Sequence, residues 1–420
     1  MSTFVPTLVV GAGYAGLVAS HYLSGAGVEH LVLEKGRVGE TWRSQRWNSF
    51  ALNTNNRISS PPGQSSEAAD PEGFALRDQL VSRLERYVTG QGLPVRTGVA
   101  VTSLAPLPRD AVLRVTADHG GREETFECRS VIVASGFQNE PKWPPARTAL
   151  PGVVFQVHTA GYRDPAGLPA GAVLVVGGGQ SGCQIAEDLL EAGRRVFLST
   201  SMVARVPRRY RGRDIIDWMI DTGFWDVRLR DLEDPAMQIA AQPHISGVGP
   251  RGHSVSLQGL ARAGAVLVGR LTAAEGTTLY FADDAPACVR FADEKSAAFK
   301  RMIDTHIERT GMSAPAPERD PADLPDDGSA CRRTVARLDL RRDGIGAIIW
   351  CTGFRGSLGW IHAPAVDEDG RPAQVRGVSA VPGIYFLGAP WLHKRKSGVL
   401  YGMHEDAEFI VQHITDRTTA

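Results

Sequence analysis

The chain has 420 residues, and its 46 Lys and Arg side chains match its 46 Asp and Glu side chains in number. This length predicts roughly two or three domains, and the balanced charge disfavours a nucleic acid or an anionic membrane as a partner. No apolar stretch approaches the ~18 residues of a membrane-spanning helix, and the first strand pattern begins too early to leave room for a secretory signal. The five cysteines are scattered without a C-x-x-C pair, which predicts a cytoplasmic protein with neither disulfides nor a metal site.

The first predicted element is a strand over the apolar run 8–10, followed directly by the motif G-A-G-Y-A-G at 11–16. This order predicts a buried strand, a tight turn and a helix start whose backbone N–H groups point at a pyrophosphate. A second strand over 30–33 ends at Glu34, a carboxylate that can accept hydrogen bonds from both ribose hydroxyls of an adenosine. The first unit therefore predicts a site for FAD or NAD.

The elements that follow are predicted to complete this first domain. A polar segment at 39–70, rich in Trp and Asn, precedes a helix near 76–89 with apolar residues at fourfold spacing. Short strand patterns then predict a small β-meander at 95–96, 99–104, 113–117 and 125–128. A buried parallel strand is predicted at 131–134, and the proline-rich stretch 141–169 is interpreted as a linker into a second domain.

The second unit repeats the first pattern, with the apolar run 173–176 before G-G-G-Q-S-G at 177–182. Small residues also allow plain packing of a helix on a strand, but two copies, each directly after a strand pattern, favour two dinucleotide-binding domains. Thr200 stands at the position equivalent to Glu34, and five arginines follow closely: Arg205, Arg208, Arg209, Arg211 and Arg213. Hydroxyls and guanidinium groups would hold a 2′-phosphate that a carboxylate would repel, although most of these arginines could equally form a solvated surface. The two units together predict FAD first and NADPH second.

The rest of the chain is predicted to close the second domain and return to the first. An irregular segment at 203–252 precedes a helix near 295–309 and a Pro- and Asp-rich loop at 313–329. Strands at 347–350 and 384–387, with a closing helix at about 398–415, are assigned to the first domain. We therefore predict an α/β fold of two Rossmann-like domains, with an NADPH domain (166–343) inserted into an FAD domain (1–165 and 344–420).

Together these motifs resemble the flavin-containing monooxygenases with two dinucleotide-binding domains. The similarity covers nearly the whole chain. Its most specific parts, besides the two glycine-rich motifs, are E-T-W-R at 40–43, L-N-T at 52–54, A-S-G at 134–136 before Pro141, the pair His158 and Tyr162, and C-T-G-F at 351–354. The most similar groups are the N- and S-oxygenating enzymes and the plant YUCCA enzymes, with the Baeyer–Villiger enzymes further off.

The chain also departs from the family pattern at informative positions. The usual F-x-G before the interdomain histidine is replaced by Gly152 and Val154, and Tyr162 stands where Baeyer–Villiger enzymes typically have Trp. These differences favour the N- or S-oxygenating and YUCCA-like branches. Ala389 stands where disulfide reductases place an Asp on the flavin, which together with the missing cysteine pair disfavours a disulfide reductase.

The resemblance implies roles for individual residues. Asn53 and His158 are the candidate catalytic residues: an Asn at the matching position lies near the reactive flavin carbon, and the His couples the two domains. Asn53 could equally be a turn residue, and a structural or hinge role is favoured for His158. Ser397 and Gly398 would start the last helix and direct its dipole at the flavin ring. The residues expected to bind the cofactors are Gly11, Gly13, Ala15, Gly16, Glu34, Lys35, Thr41, Trp42, Arg46, Val101, Ser135, Gly136, Gly177, Gly179, Gln180, Ser181, Gly182, Thr200, Arg205, Arg208, Gly388, Ser397 and Gly398.

The reaction implied by the resemblance is oxygenation of a small organic substrate by O₂ through a C4a-peroxyflavin, after NADPH has reduced FAD. The substrate is expected to be oxidised at nitrogen or sulfur, or as a 2-oxo acid in the YUCCA manner. Two alternatives stay open: a Baeyer–Villiger reaction on a ketone, and an electron-transfer reductase. Substrate contacts are expected from 203–252, where Trp218, Met219, Phe224 and Trp225 cluster, unless these side chains only form a local core.

Overall fold

The computed structural model describes residues 2–64, 70–107, 112–152, 154–238, 240–331 and 335–419, with only the backbone described at 235, 236, 418 and 419. Residues 65–69 of the predicted polar segment, residue 153 of the predicted linker and residue 239 of segment 203–252 lie outside this range. Among the described residues, no helix combines the length and apolar character needed to span a lipid bilayer.

Helices flank the sheets and cover their faces. Over the described residues they are α1 (Tyr14–Gly25), α2 (Glu40–Ser44), α3 (Asn56–Ser59), α4 (Arg77–Gln91), α5 (Ala146–Ala149), α6 (Gln180–Glu191), α7 (Ile215–Asp221), α8 (Leu257–Arg262), α9 (Ala285–Thr310) and α10 (Leu400–Thr419).

The strands of the described residues run from the first residues to the region before α10. They are β1 (Thr3–Phe4), β2 (Thr7–Val10), β3 (His30–Glu34), β4 (Val95–Thr97), β5 (Val99–Pro106), β6 (Leu113–His119), β7 (Arg122–Cys128), β8 (Ser130–Val133), β9 (Glu140–Pro141), β10 (Phe155–His158), β11 (Ala172–Val176), β12 (Val196–Ser199), β13 (Arg209–Tyr210), β14 (Arg213–Asp214), β15 (Val266–Val268), β16 (Leu271–Glu275), β17 (Thr278–Phe281), β18 (Arg337–Asp339), β19 (Ile345–Trp350), β20 (Phe354–Arg355), β21 (Gln374–Val375), β22 (Val378–Ser379) and β23 (Ile384–Phe386).

The first large sheet has the order β21-β22-β23-β8-β2-β3-β4, and its strands from β23 to β4 are parallel. Because side chains alternate along a strand, Val9 points to a core shared with α1, α4 and α10, whereas Leu8 and Val10 point to the meander β5–β7. Both faces are therefore covered, as a parallel sheet requires. The strands predicted at 99–104, 113–117 and 125–128 are confirmed as the meander β5–β7, and those predicted at 131–134 and 384–387 are confirmed as strands of the large sheet. The strand predicted at 95–96 does not belong to the meander, because β4 pairs with β3 in the large sheet.

The second large sheet is entirely parallel and has the order β10-β19-β11-β12-β15. Val173 and Val175 face one core, and Leu174 and Val176 face the other. The assignment of 347–350 to the first domain was wrong, because β19 pairs with β10 and β11 in this sheet. The interpretation of 141–169 as a plain linker needs the same correction, since β10 is an edge strand of the second sheet.

Two predicted helices differ from the structure in where they begin. Helix α9 starts at Ala285 rather than near 295, because Cys288 and Ala292 continue the buried face formed by Phe299 and Ile303. The closing helix α10 starts at Leu400 and not at 398, since Arg395–Gly398 forms a separate 3₁₀ turn. The helix predicted at 76–89 is confirmed as α4, and the loop predicted at 313–329 contains neither helix nor strand.

Candidate functional site

The three glycines of the first motif meet different structural demands. Gly11 has φ +108°, and a Cβ there would lie 2.6 Å from the Ala134 carbonyl oxygen. A Cβ at Gly16 would lie 1.8 Å from the Gly11 carbonyl oxygen, so this glycine permits close packing of helix on strand. Gly13 is the N-cap of α1 and meets no protein atom within 4 Å of its Cβ position. Its lack of a capping side chain leaves the first-turn N–H groups of α1 for an anion.

Glu34 closes β3 and is buried next to the first turn. One carboxylate oxygen accepts a hydrogen bond from the Ala12 N–H at 2.7 Å, and the other accepts from the Gly36 N–H at 2.7 Å. These bonds fix the orientation of the carboxylate, and each oxygen retains capacity for a second donor. The geometry fits a ribose with two hydroxyl donors, as expected of an FAD site.

The second motif has the same backbone construction. Gly177 has φ +117°, and a Cβ there would lie 2.3 Å from the Cys351 carbonyl oxygen. A Cβ at Gly182 would lie 1.8 Å from the Gly177 carbonyl oxygen, whereas Gly179, the N-cap of α6, is open and has no capping side chain. The first turn of α6 is therefore available to a second pyrophosphate.

One cavity of about 470 Å³ connects the two units. Many of the residues expected at the cofactors line it: Gly13, Ala15, Glu34, Lys35, Thr41, Trp42, Arg46, Asn53, Gly136, Gln180, Ser181, Gly388 and Gly398. The other expected residues do not line it: Gly11, Gly16, Val101, Ser135, Gly177, Gly179, Gly182, Thr200, Arg205, Arg208, His158 and Ser397. Val101 packs against the meander core, and the Ser397 hydroxyl accepts hydrogen bonds from the His393 and Lys394 N–H groups at 3.1 Å.

Asn53 lies on the cavity wall between the two units. Its side-chain oxygen accepts a hydrogen bond from Gln184 Nε2 at 3.4 Å, and its backbone carbonyl accepts from Arg208 Nη1 at 2.7 Å. Its Nδ2 group has no hydrogen-bond partner among the residues that the structure describes. The carboxamide is thus held through its oxygen and leaves N–H donors for a ligand.

The prediction that Arg205 and Arg208 contact a 2′-phosphate was wrong, because both side chains are buried in ion pairs. Arg205 pairs with Asp293 and Asp323, and Arg208 pairs with Asp214 at 2.5 Å. The Thr200 hydroxyl is also used inside the protein, since it donates to the Val268 carbonyl at 3.0 Å.

His158 also differs from the expectation for a catalytic residue. Its Nδ1 accepts a hydrogen bond from the Ala160 N–H at 3.1 Å, so the ring is the neutral tautomer whose Nε2–H donates to the Gly353 carbonyl at 3.0 Å. Burial lowers the pKa of this histidine, which further favours the neutral form. Both ring nitrogens bond to backbone groups, which supports the structural or hinge role favoured for His158.

Sequence reasoning missed several residues at the site. Gln184 orients Asn53 from α6, and Gln45 and Phe354 line the cavity. Arg270 lies two residues after β15, the edge strand whose Val268 pairs with Ser199 beside Thr200; it is exposed and forms no ion pair with the described residues. A basic residue two positions after an apolar strand was the available signal for Arg270. Of the aromatic cluster in 203–252, only Trp225 lines the cavity, whereas Trp218 and Met219 belong to a buried core.

Comparisons with known proteins agree with this architecture. Residues 8–215 match the family model described as pyridine nucleotide-disulphide oxidoreductase. An uncharacterized CzcO-like oxidoreductase of Geobacillus kaustophilus is 29% identical over 99% of both chains. The rice indole-3-pyruvate monooxygenase YUCCA1 is 32% identical over 207 residues, which are 48% of each chain.

Solved structures share the fold over the whole length. A flavin-containing monooxygenase from Stenotrophomonas maltophilia has a TM-score of 0.65 at 20% identity, with 99% of both chains covered. A bacillithiol disulfide reductase from Bacillus cereus has a TM-score of 0.64 at 15% identity, over 99% of this chain and 100% of the other. Together these similarities support a flavin monooxygenase family, and with it an oxidoreductase that uses FAD and a nicotinamide nucleotide.

Proposed function

We propose that the chain is an NADPH-dependent FAD monooxygenase that uses O₂ to oxygenate a small organic substrate. The observation that supports this proposal most is the single cavity lined by Glu34 of the first unit, by Asn53 and by Gln180 of the second unit. Cofactors bound at the two glycine-rich motifs would share this space with a carboxamide donor. FAD, when bound, supplies hydride acceptance and oxygen activation, and the protein supplies orientation and electrostatics.

The residues of the chain have separable roles in this proposal. Glu34 would hold the adenosine ribose of FAD, and the open turns at Gly13 and Gly179 would admit the two pyrophosphates. Asn53 would donate a hydrogen bond to oxygen at the reaction site, because a carboxamide is a donor that does not release its proton at neutral pH. Gln184 and Arg208 fix the position of Asn53 through the contacts described above.

The preference for NADPH over NADH stays a prediction. It is supported by the absence of a carboxylate at Thr200 and, in place of Arg205 and Arg208, by the exposed Arg270 at the neighbouring strand end. One charge-assisted contact is worth ~1.5–3 kcal/mol, so we expect Arg270→Met to reduce kcat/KM for NADPH roughly ten- to hundredfold and to leave NADH unchanged. Exposed Arg262, which bonds the Pro321 carbonyl, offers a matched control. Equal use of both nucleotides by the wild type would contradict this preference.

The proposed reaction can be separated from its alternatives by tracing oxygen. The purified flavin-loaded protein would be supplied with NADPH and ¹⁸O₂, with sulfides, amines, ketones and 2-oxo acids as a panel, while NADPH, O₂ and hydrogen peroxide are quantified. Label in an S-oxide, N-oxide or decarboxylated acid supports the proposal, and an ester or lactone from a ketone indicates a Baeyer–Villiger enzyme. NADPH oxidation that yields only hydrogen peroxide with the whole panel indicates a reductase. A disulfide reductase is disfavoured, because none of the described residues lining the cavity is a cysteine.

A further inference from the structure

Arg46 lines the cavity in an unusual environment for a cation. Its guanidinium carbon lies 5.3 Å from the ring centroid of Trp42, 5.8 Å from that of Phe50 and 5.5 Å from that of Phe354. The side chain donates one hydrogen bond, from Nη1 to the Gln45 carbonyl at 2.9 Å. Among the described residues, no carboxylate forms an ion pair with it. Burial lowers the pKa of Arg46 to about 10, so the group is still charged at neutral pH.

Two other arginines of this region form ion pairs, whereas Arg46 forms none with the described residues. Arg43, one turn earlier, pairs with Glu85 and does not line the cavity. Arg208 is paired with Asp214. A partly desolvated guanidinium without a counterion is costly, and the cation–π contacts with three rings offset only part of that cost. The rings also hold the group in one orientation, so that its free N–H donors are arranged in advance for an anion.

The negative groups of the two cofactors have other hydrogen-bond donors, so the anion at Arg46 is a different one. The two pyrophosphates have the uncapped first turns of α1 and α6. The cavity that Arg46 lines has an apolar wall formed by Ile216, Trp225 and Ile245, which pack in one cluster. This combination matches a molecule with one carboxylate and an apolar body. Resting on the function proposed above, we propose that Arg46, which the sequence analysis grouped with the cofactor-binding residues, instead binds the carboxylate of an organic-acid substrate whose apolar part occupies this wall.

The test measures binding without turnover. Phenylpyruvate, its neutral methyl ester and NADP⁺ would each be titrated into the oxidised, flavin-loaded protein by calorimetry. We expect the wild type to bind the acid at least tenfold more tightly than the ester, with an advantage that shrinks as salt is added. Arg46→Met should weaken binding of the acid roughly ten- to hundredfold and leave the ester and NADP⁺ unchanged, whereas Arg43→Met should change none of the three affinities.

Other outcomes overturn the inference. If the wild type binds acid and ester equally, or if Arg46→Met affects neither, Arg46 does not receive a carboxylate. If Arg46→Met weakens NADP⁺ and spares the acid, Arg46 serves a nucleotide phosphate instead. Should Arg46→Met fail to fold, the affinities for acid and ester would be compared in the wild type and in Arg46→Lys, which keeps the charge. Equal affinities for acid and ester in both proteins would overturn the inference. A protein that oxidises NADPH and transfers labelled oxygen to neutral substrates but does not bind the acid refutes this inference and leaves the proposed function standing.

Discussion

Two glycines of the first motif should fail in opposite ways when a side chain is added, and this contrast tests the cofactor assignment. Gly13 has open space at its Cβ position and lines the cavity, so Gly13→Val should fold normally and lose FAD. At Gly16 the added Cβ would lie 1.8 Å from a backbone oxygen, so Gly16→Ala should lose stability instead. Within this motif, Gly13 is therefore expected to be needed for FAD binding and Gly16 for the stability of the fold.

The size of each effect follows from the contacts. A valine at Gly13 would displace a pyrophosphate from one or two first-turn N–H groups, each worth ~1.5–3 kcal/mol, so FAD affinity should fall at least tenfold and up to roughly 10⁴-fold. The clash at Gly16 involves backbone on both sides and should lower the free energy of unfolding by ~1–3 kcal/mol or more. Gly25 lies at the end of α1, away from the cavity and with open space, and Gly25→Val is the matched control.

The assay needs two measurements on each variant. FAD would be titrated into deflavinated protein and followed by quenching of flavin fluorescence, and thermal unfolding of the same flavin-free preparation would give stability. We expect normal unfolding with weak FAD binding for Gly13→Val, unfolding at a lower temperature for Gly16→Ala, and wild-type behaviour for Gly25→Val. Wild-type FAD affinity in Gly13→Val would refute the assignment of the first unit to FAD.

Three further changes address the reaction site and its support. Asn53→Ala should leave flavin content and the rate of NADPH oxidation unchanged. It should raise the amount of hydrogen peroxide released per NADPH and lower product formation by up to roughly 10²–10³-fold. If an oxygen-balance assay shows the wild-type ratio of product to NADPH, Asn53 is only a turn residue. Arg208→Met should cost ~3–5 kcal/mol in denaturant unfolding, because it leaves Asp214 buried without its partner, and an added Asp214→Asn should recover part of the loss. Burial raises the pKa of Asp406 to about 6, so its stabilising contribution is complete below pH ~4 and is lost as the pH rises through 6. Asp406→Asn should therefore raise unfolding free energy at pH 7.5 by up to ~3 kcal/mol and bring little gain at pH 4, and a parallel pH profile of the two proteins would contradict this.

The parts of the fold that could be predicted depend on local rules. The glycine-rich turns could be recognised from the sequence because glycine is the residue favoured where the backbone adopts positive φ or approaches another backbone closely. Glu34 could be identified by its place at the end of the next strand. Strand β19 could not be assigned correctly, because a run buried on both faces fits either parallel sheet equally well. Only the pairing partners, which are distant in sequence, decide between the two sheets.

Long side chains limited the prediction of the site. Arg205 and Arg208 follow the second unit at a spacing suited to a 2′-phosphate, but their guanidinium groups turn inward to carboxylates. The partners of Arg205 are Asp293 on α9 and Asp323 in the Pro- and Asp-rich loop. The sequence around Arg205 does not predict these ion pairs. Arg46 shows the opposite case. Only the three-dimensional structure reveals that it has no carboxylate partner among the described residues and that its guanidinium lies near the ring of Phe354.

The site is one cavity because a segment of the first domain is built into the second. Trp47 comes from the loop after α2, yet it is buried in the core cluster of the second sheet. Ser49 donates a hydrogen bond to one oxygen of Asp188 on α6 at 2.9 Å, and Tyr162 donates to the other at 2.6 Å. These contacts join the chain between Trp42 and Asn53 to the helix that starts at the second glycine-rich motif. Residues of that chain segment and of α6 both line the cavity. Cofactors bound at the two glycine-rich motifs would therefore have their spacing set by this packing and not by a flexible linker.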